Sequence, residues 1–210
     1  MRAPVAMAAA LAFSLAAPAA ARADVELWTE LGVRRDLGRH VQLSLDQQVR
    51  FDANVSRIGA LIPEAGASIR LTRWLRASGG YRLEYERDKS GDLVLRHRPF
   101  ASARGRVDLG PLRAEPRLQL QDDIRPDKMD VHRPAARLRL AVSYRGARRW
   151  VPEASAETFH RTSDLRADKL WLTLGGARTG PREVEAFYRL ELAPGEPLVS
   201  IVGLAFHAAL

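Results

Sequence analysis

Between Leu112 and Gln121 apolar and polar residues take strict turns: Leu112, Ala114, Pro116, Leu118 and Leu120 against Arg113, Glu115, Arg117, Gln119 and Gln121. A period of two over ten residues predicts a β-strand, because a helix would return apolar side chains every three or four positions. The preceding stretch from Leu93 runs into the turn Asp108-Leu109-Gly110-Pro111, so the pair reads as a long hairpin. The same alternation appears in Val41–Asp52, interrupted at Gln47. It returns in Leu75–Asp88, where Arg76, Ser78, Gly80, Arg82, Glu84 and Glu86 share one face, and in Arg133–Tyr144. Weaker segments at Val25–Arg34 and Ile58–Leu71 (the latter broken by Pro63) join Trp150–His160, Asp168–Ala177, Glu183–Leu192 and Leu198–Leu210. That makes eleven candidate strands, joined alternately by short turns and longer loops.

The pattern predicts an all-β fold, a closed antiparallel up-and-down barrel with its apolar face turned outward to lipid and its charged face lining the lumen. Strands of ten or more residues match the ~9–11 needed to cross a bilayer at a tilt, and exceed the roughly five or six usual in globular sheets. Trp74 and Trp150 each begin a strand just after a short turn, where membrane-interface aromatics are expected. Single-chain bacterial barrels use even strand numbers. The expectation is therefore ten or twelve strands, with Val25–Arg34 falling short of a full crossing or one segment hiding two strands. Pro99, Pro116, Pro134 and Pro152 run against the assignment, since each removes a ladder hydrogen bond. The segment Val202, Leu204, Phe206, Ala208, Leu210 resembles the terminal strand by which outer-membrane barrels are recognised for insertion, with Phe206 set back from the last residue.

Composition adds a location. Arg2, the apolar run from Val5 to about Ala17, Pro18 and the small-residue site Ala21-Arg22-Ala23 have the layout of a cleaved signal peptide. Residues 1–23 are read as that peptide and 24–210 as one outer-membrane barrel domain of a Gram-negative cell. The absence of cysteine excludes disulfides and thiolate metal sites. Net charge is +8, and all basic residues but Lys89, Lys128 and Lys169 are arginine. These arginines alternate with apolar residues instead of clustering, so nucleic acid is not an expected partner.

Several short stretches carry a resemblance: Glu26-Leu27-Trp28, Gln47-Gln48-Val49-Arg50-Phe51, Thr72 to Arg82, Arg96-His97-Arg98-Pro99-Phe100, and Arg149-Trp150-Val151-Pro152-Glu153. Through them the chain resembles a family of uncharacterised proteobacterial proteins, a domain of unknown function predicted to form outer-membrane β-barrels. The resemblance implies fold and location and brings no activity or ligand with it.

The expected lumen network comprises Arg82, Glu84, Arg96, Arg98, Arg104, Glu115, Arg117, Arg137, Arg139, Glu157, Glu185 and Arg189. Basic residues dominate Leu93–Tyr144 and acidic ones the later strands, so closure should create a basic arc and an acidic arc. A structural salt-bridge network and a narrow, porin-like pore preferring small anions both fit. The partners expected are outer-membrane lipid and, during biogenesis, the barrel-insertion machinery. An outer-membrane lipid hydrolase is the alternative, resting on His97 with Ser102 or His160 with Ser163, though neither pair has an orienting third group. A soluble periplasmic ligand-binding barrel is another. The five histidines show no zinc-ligand spacing, so neither a metal nor a cofactor is expected.

Overall fold

A computed structural model describes residues 24–210 apart from 53, 89, 127–130, 148–149, 164–165, 179 and 181. Residues 1–23, read above as a signal peptide, and Arg149 lie outside the described residues. Twelve strands follow in chain order: β1 (Asp24–Leu37), β2 (Val41–Asp52), β3 (Arg57–Arg70), β4 (Leu75–Arg87), β5 (Leu93–Gly105), β6 (Val107–Leu109), β7 (Leu112–Arg125), β8 (Val131–Tyr144), β9 (Val151–Arg161), β10 (Ala167–Arg178), β11 (Arg182–Leu192) and β12 (Val199–Ala209).

Each strand pairs with its sequence neighbours, except that β5 pairs with β7 and leaves β6 as a short rim ribbon on β7. The circle closes through β1 and β12, which run parallel from Asp24↔Val199 to Arg34↔Ala209. The closed all-β barrel is as the alternation predicts. The seam departs from the all-antiparallel, even-numbered expectation: twelve strands exist, but eleven go round. In an up-and-down circuit an odd count obliges the first and last strands to point the same way, so their pairing must be parallel. The Leu93 segment does divide in two, into β5 and the three-residue β6, but β6 adds nothing to the circle, and β1 is a complete strand of fourteen residues.

The prolines explain where ladders stop. Pro116 pairs with Leu140 of β8, while the β5–β7 ladder ends one residue earlier, at Arg104↔Arg117. Having no N–H to offer β5, Pro116 interrupts the ladder at Gly105, and the ladder resumes in the same register as β6, from Val107↔Ala114 to Leu109↔Leu112. Pro134 and Pro152 lie just beyond the two ends of the β8–β9 ladder, and Pro99 sits in a gap of the β5–β7 ladder between His97 and Phe100. Each proline is on a strand that keeps its other neighbour.

The connections 38–40, 71–74 and 179–181 at one end of the barrel span three or four residues, with 145–150 a six-residue exception; those at the other end span four to six. Gly38 and Gly110, in turns at the first of these ends, adopt φ of 73° and 61°, conformations a β-carbon would resist. Residues 24 and 210 lie at opposite ends of the barrel.

Alternation sorts the faces as expected. Leu31, Leu45, Leu120, Leu138, Leu140 and Leu204 point outward and are at least half exposed, while Glu84, Gln119, Arg137 and Glu157 point inward and are buried. A folded chain normally hides apolar surface and shows charge. This one is inverted around its circumference.

The lumen as candidate functional site

The inward positions follow directly from register. Row by row, Glu64↔Arg82↔Arg98 joins β3, β4 and β5, and Arg104↔Arg117↔Arg139↔Glu157 joins β5, β7, β8 and β9. The basic arc and the acidic arc therefore meet at the β8–β9 boundary.

Two carboxylates organise the pairing. Glu157 accepts from Arg137 Nε at 2.9 Å and from Arg117 Nη2 at 2.8 Å, drawing β7, β8 and β9 together. Glu84 accepts from Arg98 at 2.7 Å and Arg50 at 3.3 Å, and Arg98 also reaches Asp123 at 3.2 Å. Arg96 bonds Glu86 at 2.8 Å, Arg82 bonds Glu64, and Arg139 bonds Glu153. Removing ions from water costs several kcal/mol each, and such multiply bonded geometry offsets that cost. At the rim, Asp108 accepts from Arg113 Nε at 2.7 Å and from Arg106 at 3.0 Å. These bonds hold its carboxyl below the usual carboxylate range.

Of the other expected lumen residues, Arg104, Glu115 and Glu185 face inward without an ion pair among the described residues. Arg189 is held by aromatic faces: its guanidinium lies 4.4 Å from the Trp171 ring centre, 4.8 Å from Phe187 and 5.1 Å from Trp28, and Nε donates to Thr173 Oγ1.

Those aromatics were not expected in the lumen, and they pack together inside it. Trp28 and Trp171 meet edge to face at 5.5 Å, Phe159 packs on Trp171 at 4.5 Å, and Ile201 is fully buried beside them. Both indole N–H groups are satisfied, Trp28 by Glu26 and Trp171 by Glu191, each at 2.7 Å. Arg50 covers Trp28 at 3.9 Å and Arg137 covers Phe159 at 4.5 Å. The cluster sits toward the longer-loop end, near the starts of β1, β10 and β12 and the end of β9.

Glycine makes room for it. Gly203 lies directly between Phe187 and Trp28 in the register, and the Phe187 ring occupies the place its β-carbon would take. Gly203→Val should expel that ring and destabilise the barrel by about 1–3 kcal/mol, read as an earlier urea midpoint on refolded protein. An unchanged midpoint would mean that Phe187 has a second site to occupy.

From the short-turn end the lumen opens as a cavity of about 840 Å³ that narrows toward Phe100, Arg82 and Arg137. It is lined by nine arginines against three carboxylates.

Trp74 and Trp150 immediately precede β4 and β9 at this same end, 55% and 47% exposed. His97 points outward to the Tyr81 hydroxyl, at 2.5 Å, whereas Ser102 points inward to Ser78 at 2.7 Å. Opposite faces of one strand keep that pair apart. His160 reaches Thr158 Oγ1 at 2.9 Å from the outward phase of β9, and Ser163 lies in an exposed turn. A histidine outside the expected set, His207, meets Glu30 at 2.9 Å and Asp46 at 3.5 Å across the parallel seam. All three come within 4.8 Å of one another, on strands far apart in sequence.

Residues 25–180 match the model of a family described as Protein of unknown function (DUF2490), in keeping with the resemblance drawn from the short motifs. No curated protein matches the chain.

Proposed function

We propose, from the premise that the chain belongs to the DUF2490 family of proteins of unknown function, that it is an integral outer-membrane barrel whose lumen is a blind receptacle instead of a conducting pore. The inverted surface supports the membrane reading. A girdle of leucines around the whole circumference would drive aggregation in water, and in lipid it is the stable face. Strands of eleven to fourteen residues are long enough to span a bilayer at a tilt. With short turns on the periplasmic side, as in outer-membrane barrels, the cavity opens toward the periplasm and the aromatic plug lies toward the cell exterior. The role is one of binding or architecture, with no catalytic group assigned.

The single observation that carries the closed-lumen reading is the plug itself. Ile201 at 0%, Ile62 at 2% and Trp28 at 4% exposure all point inward, and water-filled space does not pass residues buried to that degree. Purified barrel, checked for folding by its migration shift on unboiled gels, should show no conductance steps in a planar bilayer. Steps from the wild-type protein would overturn the reading. Recovery of the protein from soluble periplasm, and not from the outer-membrane fraction, would favour a soluble ligand-binding barrel instead.

A further inference from the structure

The charge on one wall of the cavity is unbalanced in a way the fold does not need. Arg70, Arg76 and Arg104 stand directly opposite one another on β3, β4 and β5, and Arg117 of β7 continues the row. Like charges placed directly across strands destabilise a sheet. Arg117 is answered by Glu157, but Arg70, Arg76 and Arg104 form no ion pair among the described residues. Arg76 instead donates to Ser68 Oγ at 2.8 Å and Gln42 Oε1 at 3.2 Å. The carboxylates sharing the cavity leave this wall basic: Glu64 is engaged by Arg82, Asp46 lies beside His207, and Glu115 stands past Arg117 toward the mouth.

One step deeper the chemistry changes. Ser68, Ser78, Ser102 and Gln119 form the next cross-strand row, neutral and hydrogen-bonding, with the Phe100 ring lying over Gly80 beyond it. The wall therefore presents arginines on neighbouring strands, whose backbones lie about 4.8 Å apart, then hydroxyls and an amide, then an aromatic face. Planar guanidinium forks match phosphate oxygens, and hydroxyl and amide groups match a polyol. At about 840 Å³ the space is that of a small-molecule site.

We infer that the vestibule binds a small phosphorylated sugar or polyol, with its phosphate on the Arg76–Arg104 row and its hydroxyl-bearing part on the Ser78–Ser102–Gln119 row. This rests on the closed-lumen reading above, since a receptacle retains what a pore passes. Bound phosphate relieves the repulsion among the arginines, so ligand and barrel stabilise each other.

The test is calorimetric titration of the detergent-folded full barrel with glucose 6-phosphate, inorganic phosphate and glucose. Glucose 6-phosphate should bind more tightly than inorganic phosphate, and glucose should not bind. Arg104→Gln, which breaks no ion pair, should weaken glucose 6-phosphate by about tenfold or more, the loss of one charge-assisted contact. Arg104→Glu should abolish binding while raising the unfolding midpoint of the empty barrel, because it inserts an anion between Arg76 and Arg117. A purely structural arginine would lower that midpoint. Absence of glucose 6-phosphate binding, or binding unchanged in Arg104→Gln, overturns the assignment. Inorganic phosphate binding as tightly as the sugar phosphate overturns its polyol part. Wild-type conductance bears on the closed lumen alone, so the two readings fail separately.

Discussion

Replacing both indoles, Trp28→Ala with Trp171→Ala, should turn a silent barrel into one that passes ions in discrete steps. The two rings fill the lumen edge to face, with Ile201 buried against them. Their loss removes the largest side chains of the proposed plug. Cutting a buried tryptophan to alanine costs about 3–5 kcal/mol, so the double variant must first be shown to fold by its gel shift. It would also uncover Glu26 and Glu191, whose carboxylates accept the indole N–H groups. The opened constriction would then carry acidic groups at one end and the arginine wall at the other. A folded double variant that stays silent would place the barrier elsewhere, at Arg137 and Glu157.

The second large effect is expected at Glu157. Glu157→Gln keeps the shape and removes the charge that holds Arg117 and Arg137. Arg137 is 6% exposed and has no other carboxylate within ion-pair distance among the described residues, so its charge would be left buried and uncompensated. Breaking a buried pair from one side typically costs about 3–5 kcal/mol. Here one carboxylate serves two arginines on two strands, so the upper half of that range is expected. The measurement is the urea midpoint in detergent, with the exposed rim variant Asp108→Asn as the comparison. Asp108 bonds arginines in water-accessible surroundings, where solvent screens the charges and little stability is at stake. If both variants lose the same amount, burial is not what makes the Glu157 bridge matter. Adding Arg137→Met should recover part of the loss, because the stranded cation is then gone.

Much of the arrangement was legible in single residues of the chain. On the polar phase of their strands, Arg82, Glu84, Arg96, Arg98, Arg117, Arg137, Arg139 and Glu157 all take part in ion pairs. Strand phase also places the aromatic cluster. Trp28 falls in step with Glu26 and Glu30, and Trp171 with Lys169 and Thr173, so both belong to the lumen face. Residue type alone would allow an interfacial belt or a plain core position. Periodicity outweighs type here, because a strand cannot turn one side chain through the sheet.

Other features had no local signal. Glu64 follows Pro63, which obscured β3, and it became visible as a lumen acid only through its pairing with Arg82. The Glu30–Asp46–His207 contact joins residues up to 177 positions apart and depends on the seam. The candidate pair His97 and Ser102 failed for a reason already present in the numbering: one is odd and the other even on the same strand.

The amino-acid sequence by itself determined the fold class, the strand boundaries within a few residues, and which side chains face inward. These are properties of a period-two pattern that any strand must obey. Tertiary structure alone decided the closure on eleven strands, the parallel seam, the partner of each charge and the aromatic cluster inside the lumen. Those depend on register between strands distant in the chain, and register is fixed only when the last strand meets the first.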